Sequence, residues 1–169
     1  NKISEHEKIV LKELMIFFTK ERIELIKPIK NKESSISLRL IDWTPTNYAK
    51  KNCIKYRLKT GPKAGEMIDV YESYKNYMSS YKKNILFDLF RRGSSIKYYY
   101  GDNDTEFLIT SVKQLNSFRW VLEIDLLSYI EKNREQIETD MRISLRRSAM
   151  NKKNKNRKKR QELSKSVYK

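Results

Sequence analysis

The last nineteen residues, 151–169, hold nine Lys or Arg against one acid, Glu162, with only Leu163, Val167 and Tyr168 apolar. A segment so charged and so poor in apolar surface cannot bury enough to fold by itself. Any core must therefore be built from the residues before it. The segment carries a net +8, half of the formal +16 of the whole chain. The remaining residues are only moderately basic and, in a chain with 38% hydrophobic residues, rich enough for a real core. A length of 169 residues suits one domain plus an arm rather than two full domains. The expected layout is an α+β domain over 1–148 followed by a basic C-terminal arm over 149–169.

One Cys and one His exclude a disulfide framework, a Cys/His zinc site and a Cys/His catalytic pair within the chain. The lone Cys53 suits a reducing, non-secreted setting. No apolar run approaches the about eighteen residues of a spanning helix, and the amino end carries no secretory signal. The chain opens on Asn1, not Met, as a stretch of a longer protein would. The charge calls for a polyanionic partner. Each Lys or Arg that neutralises a phosphate releases counterions, so such binding is tight at low salt and fades steeply as salt rises. A solubilising tail or a nuclear-localisation run, for which 152–160 would also pass, is the plainer alternative.

In the body, Ser4 with Glu7 three positions on has the spacing of a capping box. Ile9, Val10, Leu14, Phe17, Phe18 and Leu25 then recur at helical spacing, predicting one helix over 4–27 with Pro28 as its boundary. Ile36, Leu38 and Leu40 alternate with Ser37 and Arg39, predicting a strand over 35–43. A second strand is expected over 52–58, and Gly61-Pro62-Lys63-Ala64-Gly65 breaks the chain. Residues 66–92 return to a helical pattern, in two segments meeting near Ser79-Ser80. Gly101-Asp102-Asn103-Asp104 between two apolar runs, 96–100 and 105–110, signals a hairpin. Ser111 is placed to cap a helix to about Glu123, and a last helix runs from Leu127 towards Arg147. The fold class is α+β: a small antiparallel sheet packed with several helices.

Arg142, Arg146 and Arg147 carry the basic character of the tail back onto that last helix. With Lys152, Lys153, Lys155, Arg157, Lys158, Lys159 and Arg160 they form the candidate nucleic-acid contact, the helix anchoring the arm. Tyr71 and Lys75, with Lys82, Lys83, Arg91 and Arg92, form a possible aromatic and basic patch, since Tyr stacks on unpaired bases and cations grip phosphate. Tyr74, Met78 and Tyr81 share a helical face and read as core packing. Tyr98 and Tyr100 would share one strand face opposite Tyr99; base stacking there is weighed against plain β-propensity, which is the simpler reading.

Catalytic signals are few. The 61–65 loop lacks the Lys-Ser/Thr ending of a phosphate loop. No Gly-x-Ser-x-Gly elbow exists, and His6 opens an amphipathic helix. Asp42, Asp69, Glu72, Asp88, Glu106 and Asp125 could in principle hold a metal for a nuclease, but no spacing selects among them. No cofactor or metal is expected.

Several short motifs, taken in order, resemble a segment shared among nucleocytoplasmic large DNA viruses. They are Tyr71-Glu72-Ser73-Tyr74-Lys75, Tyr81-Lys82-Lys83, Phe87-Asp88 with Phe90-Arg91-Arg92, and the run Thr110-Ser111-Val112-Lys113-Gln114-Leu115-Asn116-Ser117-Phe118-Arg119-Trp120. Tyr129-Ile130, Asp140-Met141 and the basic stretch from Lys158 to Ser166 follow the same pattern. The resemblance covers about residues 66–169; the first 65 carry no such motif. The family's Pro and Cys near Phe90 are absent, Leu89 standing there, so no role for a cysteine carries over. The resemblance implies a giant-virus setting, in the virion or the viral factory of an infected cell, and transfers no catalytic residue. The function expected is a non-enzymatic basic viral protein that binds nucleic acid, DNA ahead of RNA, in genome packaging or as a transcription accessory. A minor capsid or scaffold protein whose arm binds acidic virion proteins is the second reading, and a metal-dependent nuclease the third. No membrane partner is expected.

Overall fold

The computed structural model describes residues 3–81, 86–90 and 93–166, with side chains through Arg157. The first amphipathic stretch is two helices, not the single one its periodicity predicts. Helix α1 (Glu5–Phe17) starts at Ser4, whose Oγ accepts from the Glu7 N–H at 3.2 Å, as the capping-box spacing requires. The chain turns at Phe18, and Thr19 opens α2 (Lys20–Lys30) by accepting from the Arg22 N–H at 3.4 Å. Arg22 closes the corner: its guanidinium donates to the Phe17 carbonyl at 2.6 Å and lies 4.1 Å over the Phe17 ring. Pro28 sits inside α2 rather than bounding it; so near the end, its missing N–H disturbs only the last turn. The turn lets Val10, Leu14 and Phe18 share one core with Ile23, Ile26 and Ile29.

The strand expected over 35–43 is a helix. Ser37 caps α3 (Leu38–Trp43), its Oγ accepting from the Leu40 N–H at 3.1 Å. The buried residues that follow are Leu40, Ile41, Thr44 and Pro45, adjacent pairs one helical turn apart, which no strand can bury on one face. The apparent alternation joined a loop residue, Ile36, to the first turn of α3. Pro45 lacks an N–H, and the helix widens into a π-helical stretch, Thr44–Tyr48, before α4 (Ala49–Asn52).

Two separate two-stranded antiparallel sheets take the place of one small sheet. Strands β1 (Lys55–Arg57) and β2 (Met67–Asp69) pair with Tyr56 opposite Ile68. Here the helical reading from residue 66 is corrected: β2 comes first, and Asp69 then caps α5 (Val70–Ser80), accepting from the Glu72 N–H at 3.0 Å. The expected hairpin forms β3 (Ile96–Tyr99) and β4 (Phe107–Thr110), with Tyr98 opposite Leu108. Tyr98 faces inward, its hydroxyl donating to the Phe18 carbonyl at 3.0 Å. It is a core residue and offers no base-stacking face.

Helix α6 (Val112–Glu123), capped by Ser111 as expected, runs through the middle of the core between α1 and the last helix, α7 (Leu126–Ser166). Leu115 and Phe118 are fully buried, and so are Asn116 and Ser117, with Gln114 and Arg119 nearly so. These polar side chains help hold the irregular segment 86–90, whose Asp88 N–H also donates to the Lys113 carbonyl of α6 at 3.4 Å. Gln114 Nε2 donates to the Leu89 carbonyl at 2.8 Å, and Asn116 Nδ2 to the Leu86 carbonyl at 2.8 Å. Asn116 Oδ1 accepts from the Tyr77 hydroxyl and from Arg119, each at 2.9 Å. Arg119 also donates to the Tyr77 hydroxyl at 2.9 Å, to the Tyr81 hydroxyl, and to Glu13 of α1 at 3.1 Å. Burial and the Arg119 contact act in opposite directions on the Tyr77 phenol; burial wins and pushes its pKa up, so it stays a neutral donor. Trp120 Nε1 donates to Ser73 at 3.1 Å, and its ring meets Tyr74 and Phe87 edge-on. Every described side-chain N or O atom that is buried has a partner.

Asn116→Ala removes an acceptor shared by Tyr77 and Arg119 together with the donor to Leu86. It is expected to lower unfolding free energy by about 2–3 kcal/mol, measured by urea denaturation followed through tryptophan fluorescence.

Candidate nucleic-acid interface

Asp125, in the left-handed region at φ 51, turns the chain out of α6, and its carboxylate accepts from Ser128 at 2.7 Å to start α7. The first half of α7 belongs to the core. Leu126, Ile130 and Ile137 are fully buried and Met141 packs against them. Tyr129 stacks on Tyr56 of β1, ring centroids 5.4 Å apart, while the Tyr56 hydroxyl donates to the Ile124 carbonyl at 2.6 Å. Burial pushes the Tyr129 phenol up to about 12. The helix bends at Asn133, whose φ of −117° departs from helical values and whose side chain donates to the Tyr129 carbonyl at 2.9 Å.

Asp140 is the last polar anchor. Its carboxylate accepts from Trp43 Nε1 at 3.0 Å and pairs with Lys51. Burial opposes its ionisation, but the hydrogen bonds from Lys51 and Trp43 outweigh it and hold the carboxyl below its ordinary range. Beyond Met141 the packed stripe stops, and every residue from Leu145 to Arg157 is exposed. The arm expected at 149–169 is, through Ser166, a continuation of this helix, with no break at residue 148 or 149. A charged segment that could not nucleate a helix alone propagates one already nucleated by the body.

From Arg142 to Arg157 there are seven cations and no acid: Arg142, Arg146, Arg147, Lys152, Lys153, Lys155 and Arg157. At about 100° per residue, Arg142, Arg146, Lys153 and Arg157 fall in one stripe roughly 60° wide, and the other three lie around the remaining circumference. Residues 142–166 reach about 37 Å at about 1.5 Å per residue. Lys158, Lys159 and Arg160 continue the helical backbone, their side chains lying outside the described residues.

Of the aromatic and basic patch, Tyr71 and Lys75 come together. The Lys75 ammonium lies 4.8 Å from the Tyr71 ring centroid and 3.0 Å from Glu72. Lys50 of α4 approaches the same ring at 5.7 Å, a neighbour no local pattern could reveal. Lys82, Lys83, Arg91 and Arg92 lie outside the described residues. Tyr74, Tyr77, Met78 and Tyr81 pack against the core. Several acids considered for metal binding have structural partners: Asp69 caps α5, Asp88 accepts from the Phe90 N–H at 3.0 Å, and Glu106 pairs with Lys20 at 3.2 Å. Among the described residues no three His, Cys, Asp or Glu side chains cluster as a metal site would need, and no helix is long and apolar enough to cross a membrane.

Residues 2–156 match the model of a family described as "Family of unknown function (DUF7197)". The chain belongs to that family. The match takes in residues 2–65, which carried no recognisable motif, and most of the exposed part of α7. A curated relative is "Uncharacterized protein L507" of Acanthamoeba polyphaga mimivirus, 33% identical over 173 residues that cover 96% of this chain and 65% of the relative. The chain thus spans just under two thirds of that protein's length, and the giant-virus resemblance of its motifs is a relationship of sequence. No solved structure matches the chain significantly. The motif segments that carry the resemblance gather in space: Ser73, Tyr74, Tyr81, Phe87, Asn116, Arg119 and Trp120 all belong to the cluster around α6.

Asp140→Asn is expected to lower stability by about 1 kcal/mol at pH 7. Because the folded carboxyl titrates below its ordinary value of 3.8, the contribution is present above that pH and is lost as pH falls through the folded pKa. The gap between wild type and variant in denaturant midpoint therefore closes below pH 3.8.

Proposed function

We propose that this chain is a non-enzymatic nucleic-acid-binding protein of giant-virus type, using the exposed half of α7 as its main contact. The observation that carries the reading is the run Arg142–Arg157, seven cations without an acid on a helix that projects past its last anchors, Asp140 and Met141. Cations on several sides of a helix can meet phosphates on both walls of a groove, whereas a helix lying on a flat or one-sided acidic surface needs them on one face only. DNA is therefore favoured over a flat acidic protein surface as the polyanion. Because no base-reading constellation accompanies the cations among the described residues, the binding expected is sequence-tolerant, as genome packaging or an accessory role in transcription would require. The pair Tyr71 and Lys75, with Lys50, offers a second, smaller contact on the body.

Filter binding of duplex DNA across a salt series tests the reading. Wild type is expected to give a linear fall of log K with log salt. Gln at Arg142, Arg146, Lys153 and Arg157 together should make that slope shallower by about three to four units, at about 0.9 for each phosphate no longer neutralised, equally for unrelated sequences. Deleting residues 151–169 should weaken binding in the same way. An unchanged affinity and slope in both variants would remove α7 as the interface.

A further inference from the structure

The β3–β4 sheet has one edge that is protected and one that is not. Tyr100 N–H donates to the Glu106 carbonyl at 3.2 Å, which sets the phase of the ladder. In the antiparallel register, Tyr98 with Leu108 and Ile96 with Thr110 are then the hydrogen-bonded pairs, and Tyr99 with Phe107 and Lys97 with Ile109 the non-bonded ones. The backbone N–H and C=O groups of Phe107 and Ile109 therefore point away from β3, and no backbone partner outside the sheet takes them up among the described residues. Strand β3 carries a charged residue, Lys97, a common device against unwanted pairing, with its ammonium reaching across the outer face to 4.9 Å from the Phe107 ring centroid. Strand β4 reads Phe107-Leu108-Ile109-Thr110, with no charge and no Pro, and its register shows no bulge.

That open edge lines a groove of about 660 Å³. Phe107, Leu108 and Ile109 form one wall, and Lys27, Lys30 and Asn31 at the end of α2 form the other. Leu38 and Phe90 supply apolar lining. On the outer sheet face Tyr99, Phe107 and Ile109 stand 52%, 39% and 47% exposed around Lys97, a mostly apolar surface that a third strand would extend. A two-stranded sheet is marginal by itself, and a further strand completes it.

We propose that the β4 edge is a strand-addition site for an extended peptide of a partner protein, its residues alternating apolar with polar and carrying acidic side chains on the α2 side. The outward backbone groups of Phe107 and Ile109 supply the main-chain hydrogen bonds, and the groove lining supplies the selection of alternate side chains. The Lys27 ammonium, which donates to the Tyr100 hydroxyl at 3.2 Å, and that of Lys30, which donates to Gln114 Oε1, bring positive charge to the wall opposite β4. A second copy of the chain fits less well. It would bring another α2 wall, with its own Lys27 and Lys30, and a further formal +16 against the first. The site uses none of the α7 residues and does not depend on nucleic-acid binding.

The test is selection of a randomised seven-residue peptide library on the full chain, followed by binding of each enriched peptide. Enriched sequences are expected to alternate apolar residues and to contain Asp or Glu. Ile109→Pro removes an outward N–H while sparing the ladder to β3, a substitution edge strands accept, and should weaken binding at least tenfold with an unchanged circular dichroism spectrum. N-methylating alternate peptide residues should abolish binding to the wild-type chain in one of the two registers and spare it in the other. That arm decides the matter alone should the proline variant not fold. No enrichment, or peptides indifferent to both Ile109→Pro and N-methylation, overturns the proposal. A wild-type dimer in sedimentation that Ile109→Pro converts to monomer overturns it in favour of a second copy at the edge.

Discussion

The architecture depends on the polar side chains buried along α6. An irregular segment such as 86–90 cannot lie against a hydrophobic core unless its backbone groups find partners, since each buried group left without one costs on the order of 1–3 kcal/mol. Gln114 and Asn116 supply partners for the Leu89 and Leu86 carbonyls, and the Lys113 carbonyl of the same helix takes the Asp88 N–H. Arg119 extends the arrangement, linking the end of α5, through Tyr77 and Tyr81, to Glu13 of α1. The guanidinium is 9% exposed and its acidic partner 56%. It is thus bound chiefly to neutral hydroxyl and amide oxygens, with the carboxylate kept where water still screens it. Such an arrangement fixes geometry more than it adds stability, because desolvating the cation offsets much of what its bonds return.

Much of this was legible in the residues, and the failures have identifiable causes. The caps were readable: Ser4, three positions before Glu7, and Ser111 both begin helices where they were expected to. The β3–β4 hairpin followed from apolar runs flanking Gly101. The strand read over 35–43 was a false alternation, because five residues are too few to separate period two from a loop running into a helix. The corner at Thr19 was hidden because Phe17 and Phe18 on one side and Leu25 on the other continue the apolar spacing across it. Helix α6 could not be placed at the centre by periodicity, since its buried face includes Gln114, Asn116 and Arg119, residues that a polarity pattern assigns to water. Only the resemblance marked that run as special, and the structure gives it a packing role.

For the candidate interface, the sequence located the cations and misjudged their support. Composition alone makes 149–169 a tail without structure, because local burial is the only stabilisation that composition can see. The helix arises instead from continuity: residues 126–141 are held by Tyr56, Trp43 and Lys51, and the segment beyond inherits their conformation. Lys50, brought to the Tyr71 ring from another helix, is a neighbour of tertiary origin and had no local signature.

The bend at Asn133 acquires a meaning from this. It lies between two groups of anchors, the stack on Tyr56 before it and the Trp43 and Lys51 contacts to Asp140 after it. Both ends of the bend are therefore clamped, and the bearing of everything beyond Asp140 is set by the body as a spar is set by its step. A polyanion lying along that spar would meet the domain at one angle only.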